Sequence, residues 1–569
     1  MPASSLKGWK LWIVVLLIPL LAIVVAYRPI KSFIISNGVD EYYLRSQEPV
    51  LGILSRTDNI TRLQDVTINH GSLIWKSTGM WFNNEPLQKL LVRGPALITI
   101  ETWLKGSPYG ENVLNAVCHG KFDKNIQELS ALIAQSKYDV YIRFDPDMEV
   151  PATVFPWQYQ SPENYSHAFN YVARKLKQVA PKVKMVWGPS GYPGDTEYWP
   201  GSQYVDAVSI TLGSISEENT HAYPATTAVP EMLKQKLHRM RFINKPVIIL
   251  GSNHIQQKSF NAEWLKAEAA YLTQLSKTAI YSKSNFVNSD PAKPVRKKLE
   301  IGVYDPQEKL INQDQITAEH IFTDLGEVQR NEFEKKFKAI VNRHHDAIIT
   351  MEPWRDTSST TDTQVVKHIL QGRYNKIFSK LFNILGQTRQ TVYLRFMHEM
   401  EIPIHRYAWQ SQDPVQYIQA YRYFMQLNGG PPPNVKKVWA PAGDRGSVDF
   451  WPGDDVVDYI SIAIYGLPDK NITDPDKQEL FSDIFKRKYY RMRFLNKPLF
   501  IAEFGVKGPE AFQNQWLQNA AATIKANPHI FGVSYFNLYD NPKVWGHMPA
   551  PDWSISPRSM QVFINCVSN

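Results

Sequence analysis

The chain opens with an apolar stretch, residues 11–27 (LWIVVLLIPLLAIVVAY), with Lys7 and Lys10 before it and Arg28 and Lys31 behind. Its length is at the short end of what spans a bilayer. No small-x-small cleavage signal follows, so the stretch predicts an uncleaved transmembrane helix after a ten-residue tail (1–10) rather than a signal peptide. The balanced flanking charges leave its orientation open. From residue 299 onward, short β-rich runs alternate with longer amphipathic segments. Strands are predicted at 300–304, 319–324, 347–351, 392–397, 437–440, 459–465, 499–504 and 532–537. Helices are predicted at 331–342, 363–385 and 415–427. Eight strands with helices between them read as a (β/α)8 TIM barrel, an α/β fold whose chemistry sits where strands end and the following loops begin.

The region before this barrel carries the same text. Arg239-Met240-Arg241-Phe242-Ile243-Asn244-Lys245-Pro246 returns as Arg491-Met492-Arg493-Phe494-Leu495-Asn496-Lys497-Pro498, 252 positions later. Val186-Trp187-Gly188-Pro189 matches Val438-Trp439-Ala440-Pro441, and Trp199-Pro200-Gly201 matches Trp451-Pro452-Gly453, in the same register. Trp264 matches Trp516 in that register too. Nearer the start of each copy the register slips, as with Trp103 and Trp354 or Gly52 and Gly302. The period is too long for a solenoid. The pattern therefore predicts two tandem barrels, 48–287 and 299–569, joined by a polar linker at 288–298.

Composition narrows the functions. The 569 residues are 43% hydrophobic and 21% charged, an ordinary globular balance that excludes wholesale disorder. Two cysteines, Cys118 and Cys566, exclude a disulfide scaffold and a Cys-built metal site. The net charge of +9 is mild for this length and reads as a solvated basic surface. No phosphate-binding glycine loop and no nucleic-acid-binding pattern stands out, and no cofactor is expected. The 16 Trp, 28 Tyr and 26 Phe suit both core packing and stacking on sugars.

Two predicted strand ends carry the candidate chemistry. The fourth strand runs into His398-Glu399-Met400, and the seventh into Glu503-Phe504-Gly505. A glutamate closing an apolar run is costly unless it is used or paired. Two such glutamates at one barrel mouth fit glycoside hydrolysis, which needs one protonated carboxyl and one ionised carboxylate.

At these residues the second half resembles glycoside hydrolase family 26, whose pattern is Arg-x-x-His-Glu-Met-Asn at the acid/base and a Glu-Phe-Gly-like turn at the nucleophile. Arg395-Phe396-Met397-His398-Glu399-Met400 and Ala502-Glu503-Phe504-Gly505 match it. The resemblance implies a retaining endo-β-glycosidase of mannanase, xylanase or mixed-linkage glucanase type, with Glu399 as acid/base and Glu503 as nucleophile. It also implies that Arg395 and His398 fix carboxylates and sugar hydroxyls, that Tyr465 hydrogen-bonds the nucleophile, and that Trp354, Trp409 and Trp545 meet sugar. Glu401, where the family has Asn, and Ile402 to His405 depart from the pattern and are expected to alter the subsites. Trp439 and Trp451, kept in both halves, are read as core.

In the first half the acid position becomes Asp147, the preceding histidine becomes Pro146, and the nucleophile and Tyr465 positions become Gly251 and Gly213. A glycine cannot attack a sugar. This half is expected to be a degenerate, non-catalytic barrel, and Asp145, Asp147 and Glu149 are read as the remnant of an active-site strand rather than a cation site. It keeps Trp103 and Trp157, so two readings stand: a glycan-holding module or a packed spacer. For the whole chain the leading reading is a membrane-tethered endo-β-glycosidase acting on a β-1,4-mannan or related polysaccharide outside the cytoplasm, beside a synthase or export complex, with the N-terminus inside. The alternatives are a non-catalytic glycan-binding scaffold of an export complex, and a transglycosylase using the same two glutamates. Asn59, Asn164 and Asn471 open Asn-x-Ser/Thr sites.

Overall fold

The computed structural model describes residues 39–40, 50–57, 60–64, 67–76, 81–82, 84–104, 112–151, 155–212, 229–251, 293–355, 360–404, 406–411, 413–466, 479–542, 545 and 549–568. The stretch 11–27, Gly213 and Trp264 lie outside them. Among the described residues no helix is long and apolar enough to cross a membrane.

The first half is built on one eight-stranded sheet. Its strands are β1 (Val50–Thr57), β2 (Ile60–Gln64), β3 (Asn69–Lys76), β4 (Ala96–Trp103), β5 (Val140–Phe144), β6 (Lys184–Trp187), β7 (Ala207–Thr211) and β8 (Val247–Leu250). Their order is β2-β1-β8-β7-β6-β5-β4-β3. Strands β3 to β8 run parallel, while β1 lies antiparallel to β8, and β2 to β1. This corrects the expectation of a second closed barrel: among the described residues the sheet is a half-barrel, with β2 and β3 at its edges. It also corrects the pairing of Gly52 with Gly302. Gly52 faces Ile249 on an antiparallel neighbour, whereas Gly302 faces Ala318 and Ser534 on parallel ones. Strands β1 and β2 are two residues apart in sequence, a spacing open only to antiparallel partners. A glycine in an apolar run says nothing about strand direction.

The second half closes. Strands β9 (Glu300–Tyr304), β10 (Ala318–Asp324), β11 (Asp346–Glu352), β12 (Val392–Phe396), β13 (Val435–Trp439), β14 (Tyr459–Tyr465), β15 (Leu499–Gly505) and β16 (Ile530–Phe536) follow one another in sequence order, all parallel, and β16 returns to β9. Each begins and ends within two residues of its predicted limits. Helices cover the outer face, so a strand such as β15 is buried along its whole length and reads as one continuous apolar run. The predicted helix at 363–385 is two, Val365–Leu370 and Asn375–Leu385. The segment predicted as a linker is strapped down at its described end. Arg296 donates to the carbonyls of Ile524, Asn527 and Ile530, capping the C-terminal end of the helix Glu510–Ala526.

The two halves repeat each other in conformation as well as in sequence. Strand β5 lies 252 positions before β12, and the starts of β7 and β8 lie 252 before those of β14 and β15. Asp145, Asp147 and Tyr159 have left-handed backbone (φ 40°, 57° and 57°), and so do Met397, Glu399 and Ser411 (φ 48°, 53° and 52°), again 252 later.

The halves meet through a contact that maps onto itself when they are exchanged. Arg239 pairs with Asp449 (3.0 Å), and Arg491 pairs with Glu197 (3.1 Å). At the same seam a β-carbon on Gly194 would stand 2.5 Å from Cγ of Arg445, and one on Gly446 would stand 3.0 Å from Cβ of Pro193. Both glycines have positive φ (88° and 80°), which suits their lack of a side chain. The geometry is that of a two-fold, isologous contact formed within one chain.

Candidate active site

The turn that follows β12 presents the candidate acid. Met397 and Glu399 both adopt left-handed backbone, which costs a non-glycine residue about 1–2 kcal/mol. Three successive carbonyls in this turn are clamped by side chains. Tyr417 Oη donates to Met397 O (3.0 Å), Trp409 Nε1 to His398 O (2.8 Å) and Gln410 Nε2 to Glu399 O (3.1 Å). The amide of Glu399 donates to Ala440 O at 2.8 Å. The strain is thus held by surrounding structure and aims one side chain, Glu399, at the mouth.

Glu503, near the end of β15, is buried and doubly held. Arg395 Nη1 donates to its Oε1 at 2.7 Å and Tyr465 Oη to its Oε2 at 2.8 Å. The same nitrogen of Arg395, itself 1% exposed, also donates to Thr350 Oγ1 at 2.8 Å. His320 lies 3.4 Å from the same guanidinium nitrogen; burial first, then the Arg395 charge, hold its imidazole well below its usual pKa and therefore neutral. Burial and the adjacent Glu503 charge push the Tyr465 phenol up, so it remains a donor. Glu399 is partly open to the mouth, yet its carboxyl is held well above the usual carboxylate range, first by withdrawal from water and then by the negative charge of Glu503. One carboxyl pushed towards its protonated form beside one fixed by two donors is the pairing that an acid and a nucleophile would need.

A third carboxylate belongs to the site. Glu352 ends β11 and is pushed up to about 7 by burial, against the hydrogen bond that Tyr407 gives it. His398 Nε2 stands 3.8 Å from Glu352 Oε1, and burial, then Arg395, keep this imidazole well below its ordinary pKa. The rule that singled out Glu399 and Glu503, an apolar run closing on a carboxylate, applies equally to 347–352 and was the available signal for Glu352. Tyr407 and Thr350 carried none.

The aromatic residues divide. Trp354 is partly exposed, meets Tyr407 edge-on (5.5 Å between centroids) and carries Arg355 over its face at 4.3 Å. Trp409 is fully buried beneath Tyr407, with centroids 4.6 Å and planes 5° apart. The expectation that Trp409 meets sugar is therefore corrected: its ring supports Tyr407 and its N–H holds the acid turn. Trp545 is partly exposed beyond β16, and its indole N–H has no partner among the described residues. On the opposite wall Tyr304, Phe322 and Phe536, at the ends of β9, β10 and β16, form a partly exposed cluster with centroids 4.7 to 6.3 Å apart. Beside it a cavity of about 350 Å3 opens between β9 and β10. A larger cleft of about 700 Å3 lies where the helices Pro162–Val179 and Phe481–Arg491 meet. None of the strand-end carboxylates lines it, so the chemistry is assigned to the barrel mouth.

Glu401 is turned away from the site. Its Oε1 accepts from the amides of Gly443 and Asp444 (2.9 and 3.0 Å) and from Ser447 Oγ (2.7 Å), which corrects the expectation that it alters a subsite. Glu149 holds Gly191 and Tyr192 in the same way in the first half (2.9 and 3.0 Å). There Asp145 is satisfied by Thr102, and Asp147 by Arg143. Among the described residues no cluster could hold a metal ion.

No family model matches the chain. Among curated proteins it is similar to a β-1,3-xylanase (TXYA) of a Vibrio species, 28% identical over 157 residues, and to a β-1,3-xylanase of an Alcaligenes species, 26% identical over 155 residues. Each match covers 26% of this chain, and 30% and 29% of those proteins respectively. It is also similar to endoglucanase H of Acetivibrio thermocellus, 26% identical over 240 residues, covering 40% of this chain and 24% of that protein. The chain thus spans under a third of each relative's length. Among solved structures it resembles a Cellulomonas fimi endo-β-1,4-mannanase double mutant (14% identity, TM-score 0.33, 48% of this chain and 71% of that one). It also resembles a GH113 β-1,4-mannanase (12% identity, TM-score 0.31, 49% of this chain and 100% of that one).

Proposed function

We propose that the chain is a retaining endo-β-glycosidase of family-26 type whose second half cleaves a β-linked polysaccharide, a mannan or a related xylan or glucan. The observation that carries this reading is the unequal treatment of two carboxyls at one mouth: Glu503 is gripped by Arg395 and Tyr465, while Glu399 is kept protonated beside it. Glu399 protonates the departing glycosidic oxygen as Glu503 attacks the anomeric carbon. Water, deprotonated by Glu399, then releases the glycosyl-enzyme. His398 and Glu352 face the sugar ring, and Trp354, backed edge-on by the buried Tyr407, stacks against it. The names of the matched relatives favour a β-glycan, and the partly exposed rings on both walls suit a polymer.

The first half, 48–287, is proposed to be a degenerate copy of the same domain, supported by the 252-residue register of its strands, its left-handed residues and its side-chain clamps. Residues 11–27 are proposed to tether the protein to the membrane with both halves outside the cytoplasm, where such a polymer is found. A glycan synthase or export complex is the fitting neighbour there.

The test is incubation with mannan, glucomannan, lichenan, cellulose and β-1,3-xylan. Reducing ends should appear from at least one polymer, the first-formed product should retain the β-anomer by proton NMR, and Glu503→Ala should abolish the reaction while the protein stays folded. A fully active Glu503→Ala enzyme, or no release from any β-glycan, overturns the reading.

A further inference from the structure

The first half has lost the reacting pair but kept the walls around it. Phe155 lies on Trp157 with centroids 4.8 Å and planes 7° apart, repeating Tyr407 on Trp409 at the same 252-residue spacing. Trp103 meets both rings edge-on at 6.2 and 6.0 Å, as Trp354 meets Tyr407. Trp157 is fully buried, its N–H donated to Pro146 O at 2.7 Å, so packing accounts for it. Trp103 and Phe155 pack against the same core without being enclosed by it. Both are partly exposed at the end of the sheet that corresponds to the mouth, and the Trp103 indole N–H has no acceptor among the described residues.

The polar groups beside these rings have been rewired rather than erased. Arg143 donates to Asp147 (3.2 Å), Ser209 (2.9 Å) and Thr211 (3.1 Å), where its counterpart Arg395 grips a nucleophile. Its side chain lies over Gly188, where a β-carbon would stand 2.6 Å from Nε; the second half has Ala440 at that position. Glu101 occupies the place of Glu352 near the strand end, and Gly251, at the place of Glu503, has no side chain to attack an anomeric carbon. Rings for stacking, the partly exposed carboxylates of Glu101 and Asp147 beside them, and a glycine at the place of Glu503 suit a surface that holds a sugar without cutting it.

We infer that this end of the first-half sheet, around Trp103 and Phe155, is a second glycan site, which binds a β-linked pyranoside chain of the class the second half cleaves. Only the choice of sugar class rests on the proposed function. With two sites on one chain, a polymer that engages both is held far more tightly than by either alone.

The test is isothermal titration of the full chain carrying Glu503→Ala with β-1,4-mannohexaose, cellohexaose and β-1,3-xylohexaose. One of them should bind at two equivalents, of which Trp103→Ala removes one and Trp354→Ala the other. Trp103→Phe, which keeps a ring packed on Phe155 and Trp157, guards against a folding failure and should weaken the first-half site several-fold. A single equivalent that is lost with Trp354→Ala and indifferent to both Trp103 variants overturns the inference and leaves the proposed function standing. Binding lost with Trp103→Ala, in a protein whose wild type hydrolyses none of the polymers, upholds the inference and removes the hydrolase reading. Hydrolysis by the wild type with no binding of any hexasaccharide by the Glu503→Ala chain overturns the inference.

Discussion

Arg239 and Asp449 form an ion pair at 3.0 Å, buried at 4% and 3% exposure, that joins one half of the molecule to the other, and exchanging the halves turns it into the pair Arg491 and Glu197. His238 Nε2 lies against Asp449 O (2.8 Å), and Arg241 donates to Val448 O (2.9 Å), so this part of the seam is polar and buried. Such a pair contributes little net stability but is costly to break on one side.

Arg239→Ala should therefore destabilise the chain by about 3–5 kcal/mol, because Asp449 is left buried without its partner. Replacing both members with apolar residues of similar volume should cost markedly less. Chemical denaturation of the two variants, compared in one double-mutant cycle, measures the difference.

Tyr465→Phe removes one of the two donors to Glu503 and leaves the ring packed on Trp553 (4.7 Å between centroids). A hydrogen bond to a charged group is worth about 1.5–3 kcal/mol, so kcat/KM should fall by roughly 10- to 150-fold with the melting temperature little changed. Steady-state kinetics on whichever polymer is cleaved, alongside thermal denaturation, checks both halves of the statement.

Glu399 acts as an acid only while protonated, and burial together with the Glu503 charge raises its pKa. Activity should persist above the usual carboxylate range and then fall as pH rises through that raised value. Glu503→Gln removes the neighbouring charge, so the Glu399 carboxyl should titrate at lower pH in that variant. Carbon-13 NMR of labelled glutamate reads the shift; an unchanged titration would show that the two carboxyls do not sense each other.

Gln410→Ala deletes the clamp on Glu399 O (3.1 Å) and the acceptor of the Tyr407 amide (3.1 Å), both on the protein side of the site. Stability should drop by about 1 kcal/mol. The larger effect should be on kcat, with KM nearly unchanged, because a left-handed turn released from one of its ties aims the acid less well. Equal losses in kcat and KM would mean that the turn does not depend on this bond.

Most of the second half was legible in the chain itself. Its strands are buried on both faces, so each appears as an apolar run bounded by turns, and Glu399 and Glu503 stand out because a charge at the end of such a run is expensive. What could not be read was set by distance in the fold. Glu401 sits two residues from the acid and looks like part of the site, yet it folds back to accept from amides 42 and 43 positions away. Trp409 reads as a sugar platform from its position, but the turn above it needs an indole N–H. Strand β1 carries the same apolar pattern as β9 and enters its sheet in the opposite direction, since alternation of side chains encodes faces and not polarity.

The self-matching seam has a consequence for how the protein behaves on dilution. Two separate chains meeting through this contact would part company below their dissociation constant, and both would have to keep complementary surfaces. Inside a single polypeptide each half meets the other at an effective concentration in the millimolar range. Association then survives any dilution the cell imposes, and the half with Gly251 stays attached to the one that carries Glu503 at that place.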